Sequence, residues 1–321
     1  MVHDEFKLVA GRGLTWLNCA GLSRLPWLLH AFSTRLGGTA GGYAPGLNLG
    51  FTANEPRARV ERHRRRFFAA LGAGEFALAS LRQIHSAHVY LVERDSGGGL
   101  EYHPAGCAFP DRPSQPLLPG DSLVTAQPGI LLSIRTADCL PVLLVDPEHR
   151  AVAAVHAGWR GALARVIEKT VGEMRRLMGS RPLQLIAALG PSIRACCYEV
   201  GDEVVEAFTS RYPQGDKFFV HSPRASRTFI RLHAAAFLSA HTPGHEPPDP
   251  PRARLDLVAV AREQLLSGGL TPRHIHVAEY CTACRTDLFY SYRREGSRAG
   301  RMMAVIGIRP ETLAATKRRS T

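Results

Sequence analysis

The stretch from residue 136 to residue 161, TADCLPVLLVDPEHRAVAAVHAGWRG, constrains the fold more than any other part of the chain. Two strongly apolar runs flank the segment DPEH, in which Asp followed by Pro is typical of the first two positions of a type I turn. The pattern therefore predicts a β-hairpin in the protein core. Each run also carries one residue that a core strand does not need, Cys139 in the first and His156 in the second.

The rest of the chain supplies further short apolar runs and amphipathic segments. Because several of the predicted strands are joined by short turns, their order does not fit a doubly wound parallel sheet. We therefore expect a single α/β domain with mixed β-sheets flanked by helices. Strands are predicted at 25–34, 88–93, 122–125, 129–136, 183–190, near 274–280 and near 302–308, and helices at 55–72, 160–179, 201–212 and 255–269.

The expected domain spans residues 25–310, after an N-terminal extension at 1–24 and before a basic C-terminal tail at 311–321. Inside it, the proline-rich segment 241–254, HTPGHEPPDPPRAR, predicts a surface insertion. No internal repeat and no linker between two independent cores is evident, which favours one catalytic domain.

Charge and cysteine content narrow the functional classes. The chain of 321 residues has 40 basic and 28 acidic residues, but the basic residues are scattered and only four of them are lysine. Without a recognised binding motif, this charge does not predict a nucleic-acid partner. No segment reaches the roughly 18 apolar residues of a membrane span. The seven cysteines, an odd number, favour a reducing compartment, so we expect a cytoplasmic protein with no membrane partner, and a monomer as its simplest state.

The two unusual residues of the hairpin predict a metal site. A turn about Pro147 and Glu148 would place Cys139 directly opposite His156, with Cβ atoms about 4.5–5.5 Å apart. At that separation a thiolate and an imidazole can bind the same zinc ion. The prediction depends on the register, because a one-residue change in loop length moves the pair to opposite faces. The alternative is that Cys139 is a small buried apolar residue and His156 a hydrogen-bonded strand residue.

The motif QIHSAH offers a third ligand, either His85 or His88. His85 is favoured because it lies among polar residues near the start of the predicted strand, whereas His88 has the opposite parity. The set His85, Cys139 and His156 would leave one coordination position open, as in catalytic zinc sites.

Eight motifs occur in an order that carries a resemblance to a known family. They are FSTRLGG (32–38), LNLG (47–50), QIHSAHV (83–89), TADCLPVLL (136–144), AVHAGWRG (154–161), LGPSI (189–193), YEVG (198–201) and CTACRTDLFYSYRREGSRAGR (281–301). Together they resemble the purine nucleoside phosphorylase family of laccase-domain proteins, also called multicopper polyphenol oxidase-like proteins or peptidoglycan editing factors. The resemblance covers residues 25–308.

This resemblance implies a fold related to bacterial toxin deamidase domains, which are cysteine hydrolases, and zinc bound through His85, Cys139 and His156. It implies phosphorolysis of adenosine, inosine and 5′-methylthioadenosine, with purine nucleosides and phosphate as small-molecule partners, and deamination of adenosine to inosine. It also implies two other activities, namely copper-dependent phenol oxidation and hydrolytic editing of peptidoglycan precursors. Copper is therefore the alternative metal.

Three residues near the hairpin and the glycine-rich loop are candidates for the chemistry. Asp138 is a candidate acid/base for deamination, and its alternative role is to orient the adjacent ligand. Arg160, which follows the His156 turn, and Arg35, at the head of the glycine-rich loop, are candidate phosphate ligands. An ordinary structural role remains the alternative for each arginine. The arginines at 293, 294, 298 and 301 form a further basic cluster that is also a candidate for binding phosphate.

The remaining candidates would bind the nucleoside. Asn48 in GLNLG can bond to base or ribose, or it can stabilise a turn. Gly190 and Ser192 follow a predicted strand and are expected to line the pocket.

Two other enzyme classes stay open. In a hydrolase, the Cys139 thiol would attack the substrate and His156 would activate it, so Cys139 would be a nucleophile and not only a ligand. A multicopper oxidase would need many clustered histidines, and the 14 histidines here are mostly dispersed.

Overall fold

The computed structural model describes residues 5–39, 41–53, 55–105, 117–220 and 253–310. The predicted tail at 311–321 and most of the proline-rich insertion, residues 241–252, lie outside these ranges. The chain divides into two compact units, one formed by Met1–Ile193 with Leu257–Thr321 and one formed by Arg194–Asp256.

The larger unit contains a six-stranded sheet in which every pairing is antiparallel except the parallel one between its last two strands. The N-terminal segment that the sequence predicts as an extension contributes two of these strands. In sheet order the strands are β1 (Phe6–Gly11), β2 (Leu14–Cys19), β3 (Leu28–Ser33), β15 (Met302–Ile308), β8 (Ile130–Thr136) and β4 (Ala77–Ala79).

A seven-stranded sheet lies in the same unit. Two of its six strand pairings are parallel, those of Ile186–Leu189 with Ile275–Val277 and of Val89–Arg94 with Ser122–Thr125, and the other four are antiparallel. The two sheets confirm the predicted mixed α/β fold. In sheet order the strands are β14 (Ile275–Val277), β11 (Ile186–Leu189), β9 (Leu140–Asp146), β10 (Ala151–Ala157), β7 (Ser122–Thr125), β5 (Val89–Arg94) and β6 (Leu100–Ala105).

The four predicted helices all occur, one of them with a break, and the short helix at Tyr292–Glu295 is not predicted. The predicted helix at 160–179 is two helices, because Arg165 has a left-handed backbone conformation, with φ of 60°, which an α-helix cannot contain. In chain order the helices are α1 (Arg57–Leu71), α2 (Trp159–Leu163), α3 (Val166–Met178), α4 (Asp202–Arg211), α5 (Leu257–Ser267) and α6 (Tyr292–Glu295). Among the described residues, none of these helices has the length and apolar character needed to cross a bilayer.

Strand alternation divides the apolar residues of the larger unit between two cores. In β15, Met302, Ala304 and Ile306 face the main core, which also contains residues of the seven-stranded sheet such as Leu143 and Val152. The intervening residues of β15 face a second core, on the outer side of the six-stranded sheet, where helix α1 contributes Phe67. The outer face of the six-stranded sheet is therefore the face covered by α1.

The hairpin formed by β9 and β10 is fully buried along both strands, as its apolar runs predict. Its register differs from the predicted one: His156 pairs with Pro141, not with Cys139. The connection is longer than a two-residue turn because Asp146 Oδ1 accepts hydrogen bonds from the backbone N–H groups of Glu148 and His149, and Arg150 then adopts φ of 49°. The loop is longer by an even number of residues, so Cys139 and His156 remain on the same side of the hairpin.

The described residues of the smaller unit include α4 and a short antiparallel pair, β12 (Phe219–Val220) with β13 (Arg254–Leu255). Its core is aromatic: the ring of Phe208 lies 5.8 Å from that of Tyr212, 6.2 Å from that of Phe218 and 5.9 Å from that of Phe219. Phe208 therefore anchors α4 by packing against these three rings.

Candidate metal centre

The end of the hairpin away from its turn brings two candidate ligands together. Cys139 lies immediately before β9, and His156 is the second-to-last residue of β10. The chain enters β9 through Asp138, whose φ of 88° is unusual for a residue other than glycine. This sharp change of direction places the Cys139 side chain at the end of the strand, where His156 is buried.

His85 completes the group from the loop that precedes β5. Its own φ is 61°, and its backbone N–H donates to Oδ1 of Asp121 at 3.0 Å. The N–H groups of Ile84 and Ser86 donate to Oδ2 of the same carboxylate, and so does the Ser86 hydroxyl. One buried carboxylate therefore fixes the loop that presents His85.

The ligand atoms of His85, Cys139 and His156 all lie within 4.8 Å of one another. Nε2 of His85 is 3.7 Å from Sγ of Cys139, and the two imidazole rings are 4.9 Å apart between centroids. Two histidines and one cysteine are a ligand set typical of catalytic zinc, which keeps its fourth position for water or substrate. The exposed position of His85 leaves one side of the group accessible.

Asp121 also fixes His156. Its Oδ1 accepts a hydrogen bond of 2.8 Å from Nδ1 of His156, and both side chains are almost fully buried. Because Nδ1 donates to this carboxylate, Nε2 is the nitrogen that offers a lone pair to a metal when the ring is neutral. A carboxylate that bonds to the far nitrogen of a histidine is the usual partner of a metal-ligating imidazole.

The buried charges shift the pKa values of the pair Cys139 and His156 in opposite directions. Burial alone would raise the pKa of the Cys139 thiol, but the charge of His156 and hydrogen bonds from both histidines lower it to about 6. Burial alone would lower the pKa of His156, but the Cys139 thiolate and Asp121 raise it to about 9. Without a metal, the pair is therefore a thiolate and an imidazolium near neutral pH.

Gly158 provides the space that the group needs. A Cβ atom at this position would lie 2.5 Å from Cδ2 of His85, closer than real Cβ atoms approach, and 3.0 Å from Sγ of Cys139, a tight contact. In the observed register, Gly158 lies across from Cys139, one position beyond the last paired residues. Any other residue here would push His85 and Cys139 apart.

The other predicted chemical residues, Asp138, Arg160 and Arg35, contact partners other than the three candidate ligands. Both carboxylate oxygens of Asp138 are hydrogen-bonded at 2.6 Å, Oδ1 to the Thr282 hydroxyl and Oδ2 to the backbone N–H of Arg293. Arg160 is exposed, and its guanidinium stacks on Trp159. Arg35 bonds to the carbonyl of Thr286 and to Glu295, and it stacks on Tyr290.

The predicted nucleoside-binding residues are buried. Oδ1 of Asn48 accepts hydrogen bonds from the backbone N–H groups of Gly50 and Arg301. Gly190 packs against the ring of Phe32, where a Cβ would lie 2.4 Å from ring carbons. Ser192 is fully buried, and its hydroxyl has no hydrogen-bond partner within the described parts of the chain.

Comparison with known proteins places this centre in a family. The family model described as "Multi-copper polyphenol oxidoreductase laccase" matches residues 29–309, which include every residue of the centre. The chain belongs to this laccase family. A protein named purine nucleoside phosphorylase from Deinococcus radiodurans is 36% identical over 280 residues, covering 87% of this chain and 88% of that protein.

Other members of the laccase family are similar over nearly the same length. A protein of an unknown prokaryotic organism, named adenosine deaminase RL5, is 32% identical over 274 residues, covering 85% of this chain and 91% of its own. The crystal structure of the hypothetical protein YfiH from Bacillus licheniformis matches with a TM-score of 0.75 and 27% identity, covering 96% of this chain and all of that one. The mixed α/β fold of this chain is therefore that of YfiH-type laccase-family proteins.

Sequence reasoning misses two residues that contact or border the candidate ligands, Asp121 and Gly158. Asp121 lies in PGDSLVT before a buried strand, 35 residues away from His156, and no local pattern links the two. Gly158 lies in AGWRG, where a glycine is equally explained by the turn that leads into α2. A small residue across a hairpin from a candidate ligand is the signal that identifies Gly158, once the register is known.

Proposed function

We propose that the protein is a zinc-dependent purine nucleoside phosphorylase that also deaminates adenosine. The observation that carries the proposal is the convergence of His85, Cys139 and His156 within 4.8 Å at an accessible end of the hairpin. The names of the similar proteins, purine nucleoside phosphorylase and adenosine deaminase, indicate both reactions. The substrates are adenosine, inosine and 5′-methylthioadenosine, with inorganic phosphate as the second substrate of phosphorolysis.

The residues present fit a zinc ion. The donor set contains one thiolate and two imidazoles, Asp121 holds the His156 ring with Nε2 available, and Gly158 leaves room beside His85 and Cys139. Zinc bound there would act as a Lewis acid, and it would lower the pKa of a water molecule toward neutrality. A thiol pKa of about 6 means that Cys139 is already deprotonated at neutral pH, as a ligand must be.

The side chains around the centre have separate tasks in this proposal. Asp121 orients both histidines because its carboxylate accepts five hydrogen bonds, four from the 84–86 loop and one from His156. Asp138 holds Thr282 and the start of α6 beside Cys139, and its two short hydrogen bonds support the orienting role over proton transfer.

Zinc is preferred to copper as the metal. Copper-dependent phenol oxidation by a multicopper enzyme requires several copper centres rich in histidine. Within the described ranges, one group of three or more neighbouring ligands contains histidine, and it is the group at the end of the hairpin.

A cysteine hydrolase that edits peptidoglycan precursors is the second candidate. It is favoured by the order Asp121, His156 and Cys139, in which a carboxylate orients an imidazole beside a thiol of lowered pKa. In that reaction the Cys139 thiolate would attack a carbonyl carbon of the substrate and His156 would protonate the leaving group.

Metal content and product formation test the proposal together. We expect the wild-type protein to bind one equivalent of zinc, to form free base from inosine only when phosphate is present, and to form inosine from adenosine without phosphate. The variant His85→Ala should lose the zinc and both activities. The matched control is His149→Ala, at the opposite end of the hairpin, where His149 bonds to Asp146. It should retain the metal and both activities.

Absence of zinc, or of both products, from the wild-type protein would refute the proposal. A covalent adduct on Cys139, trapped with an amide substrate and detected by mass spectrometry, would favour the hydrolase instead.

A further inference from the structure

Three arginine side chains lie on the outer side of the six-stranded sheet next to the metal centre. In β8, Ile134 faces the main core, so its neighbour Arg135 faces outward. Arg135 pairs with Met303 of β15, an outer-core residue, and Arg301 has the same parity as Met303. Arg135 and Arg301 are therefore diagonal neighbours on one face, at a spacing that long side chains span.

Helix α1 brings the third arginine to this face. Nε of Arg64 donates to the carbonyl of Leu49 at 2.8 Å, and the backbone N–H of Leu49 donates to the carbonyl of Arg301 at 2.9 Å. One residue of the loop before α1 thus connects Arg64 to Arg301. Arg64, Arg135 and Arg301 are called the arginine cluster below.

The cluster is half-buried, and negative side chains such as Glu61 near Arg64 and Asp138 near Arg301 act on it only from beyond ion-pair distance. Within the described ranges, none of the three guanidinium groups has a carboxylate within ion-pair distance, and their hydrogen bonds go to neutral acceptors such as the carbonyls of Leu81 and Gly300. Burial and the nearby charge of Arg135 lower the pKa of Arg64 to about 10. Burial and the charge of Arg301 likewise lower the pKa of Arg135. Half-buried like charges that lower each other's pKa favour the binding of an anion, which would offset their repulsion.

A buried amide adds an unused donor at the same place. Asn48 is fully buried, and its Oδ1 is occupied by the N–H groups of Gly50 and Arg301. Its Nδ2 has no acceptor within the described parts of the chain. A buried N–H donor without a partner is costly unless a ligand or water accepts from it.

The cluster borders the metal centre. The backbone N–H of Arg135 donates to Oε1 of Gln83, two residues before His85. Burial lowers the pKa of Arg301, while the charge of the Cys139 thiolate acts against this shift. An anion bound by the cluster would therefore lie beside a substrate held at the metal centre.

We propose that Arg64, Arg135 and Arg301, with the amide of Asn48, form the subsite for the inorganic phosphate that attacks the nucleoside, a role that rests on the proposed phosphorylase function. Guanidinium groups suit this task because each presents parallel N–H donors to two oxygens of a tetrahedral oxyanion. One phosphate oxygen forms a bond with C1′ of the ribose as the C1′–N9 bond breaks. The electron pair of that bond leaves with the purine, which takes up the proton released by dihydrogen phosphate.

The two proposed reactions allow an internal comparison, because phosphorolysis uses phosphate and deamination does not. We expect Arg64→Gln, Arg135→Gln and Arg301→Gln each to raise the KM for phosphate roughly 10- to 100-fold. The ratio of phosphorolysis to adenosine deamination should fall by a similar factor, and Arg→Lys variants should recover part of the loss. Arg65→Gln is the matched control, since Arg65 is exposed next to Arg64 on α1 and should leave both rates unchanged.

An unchanged KM for phosphate in all three variants, or an equal loss of both reactions, would overturn the proposal. Isothermal titration with inorganic phosphate tests binding without catalysis, and we expect binding to the wild type that is lost in Arg301→Gln. If the wild type forms neither product but still binds phosphate through the cluster, the phosphorylase function fails and the anion subsite stands. Tighter, cluster-dependent binding of adenosine 5′-monophosphate than of phosphate would assign the cluster to a phosphate group of the substrate and overturn the proposal.

Discussion

Asp121 and His156 are joined by a 2.8 Å hydrogen bond between Oδ1 and Nδ1, and the same carboxylate accepts the backbone N–H of His85. Two of the three candidate ligands are therefore held by one buried acid that is not itself a candidate ligand. Its burial would raise its pKa, but hydrogen bonds from His156 and Ser86 and the charge of His156 lower it, so the carboxylate is ionised. The charge of Asp121 is thus part of the candidate metal centre.

Replacing Asp121 with Asn should lower the zinc affinity about 10- to 100-fold, as is typical for the loss of a carboxylate behind a ligating histidine. The Asn side chain has one NH₂ group, which would face N–H donors now bound by a carboxylate oxygen. Competition titration with a chromophoric chelator measures the affinity. Asp95→Asn, in a surface turn where Asp95 accepts from Gly97 and Gly99, should retain wild-type affinity. Equal affinity in Asp121→Asn and the wild type would contradict this role.

Gly158→Ala should disrupt the metal centre without unfolding the protein. The added Cβ would meet His85 at 2.5 Å and Cys139 at 3.0 Å, and relief requires one of the two ligands to move. We expect weaker zinc binding and a far-UV circular dichroism spectrum like that of the wild type. Gly74→Ala is the matched control, because nothing lies within 4 Å of its Cβ position. If zinc binds to Gly158→Ala as tightly as to Gly74→Ala, the close packing at this position is irrelevant to the metal.

The Cys139 thiol should titrate well below an ordinary cysteine when the metal is removed. Despite burial, His156 and His85 lower its pKa to about 6, so the thiolate is lost only as the pH falls through that value. The rate of alkylation of Cys139 in chelator-treated protein, followed by mass spectrometry, should therefore rise with pH and reach its plateau below pH 8. In His156→Gln the midpoint should move upward. A midpoint near 9 in the wild type would show that the two side chains are not coupled.

The sequence predicts this hairpin well and its turn poorly, for a physical reason. Continuous apolar runs predict buried strands, and β9 and β10 are buried throughout. Loop length depends on local hydrogen bonds, here those that Asp146 accepts from Glu148 and His149, which compete with a two-residue turn. The predicted pairing of Cys139 with His156 is therefore wrong, but the side of the hairpin is right because the register changes by an even number of residues.

In the candidate site, too, some residues can be recognised from the local sequence and others only from tertiary packing. His85, Cys139 and His156 stand out because each is a ligand residue at the edge of an apolar run. Arg64 does not stand out, because it is one of six arginines in RARVERHRRRFF, three of which are exposed. Only the packing of α1 on the outer face of the sheet selects it from its neighbours and brings it to Arg301.

His30 makes stability depend on pH independently of the metal centre. It is buried in β3, and its Nε2 accepts the backbone N–H of Cys19 at 3.0 Å, which requires a neutral ring. Burial, together with the nearby charge of Arg309, lowers its pKa from the ordinary 6.5 to about 4. Between these two values the unfolded chain binds a proton that the folded protein does not, so the free energy of unfolding falls as the pH decreases from 6.5 to 4.

The full contribution of His30 is present above pH 6.5, and about 3 kcal/mol of it is lost on reaching pH 4. In His30→Gln the amide oxygen can still accept from Cys19, but no proton binds, so the variant should lose less stability over this range than the wild type. Urea unfolding at pH 7.5, 6.0 and 5.0 measures the difference. Both proteins keep a residual slope from His63, whose pKa is also lowered by burial. Parallel stability curves for the two proteins would show that His30 accepts its proton in the folded state as readily as in the unfolded chain.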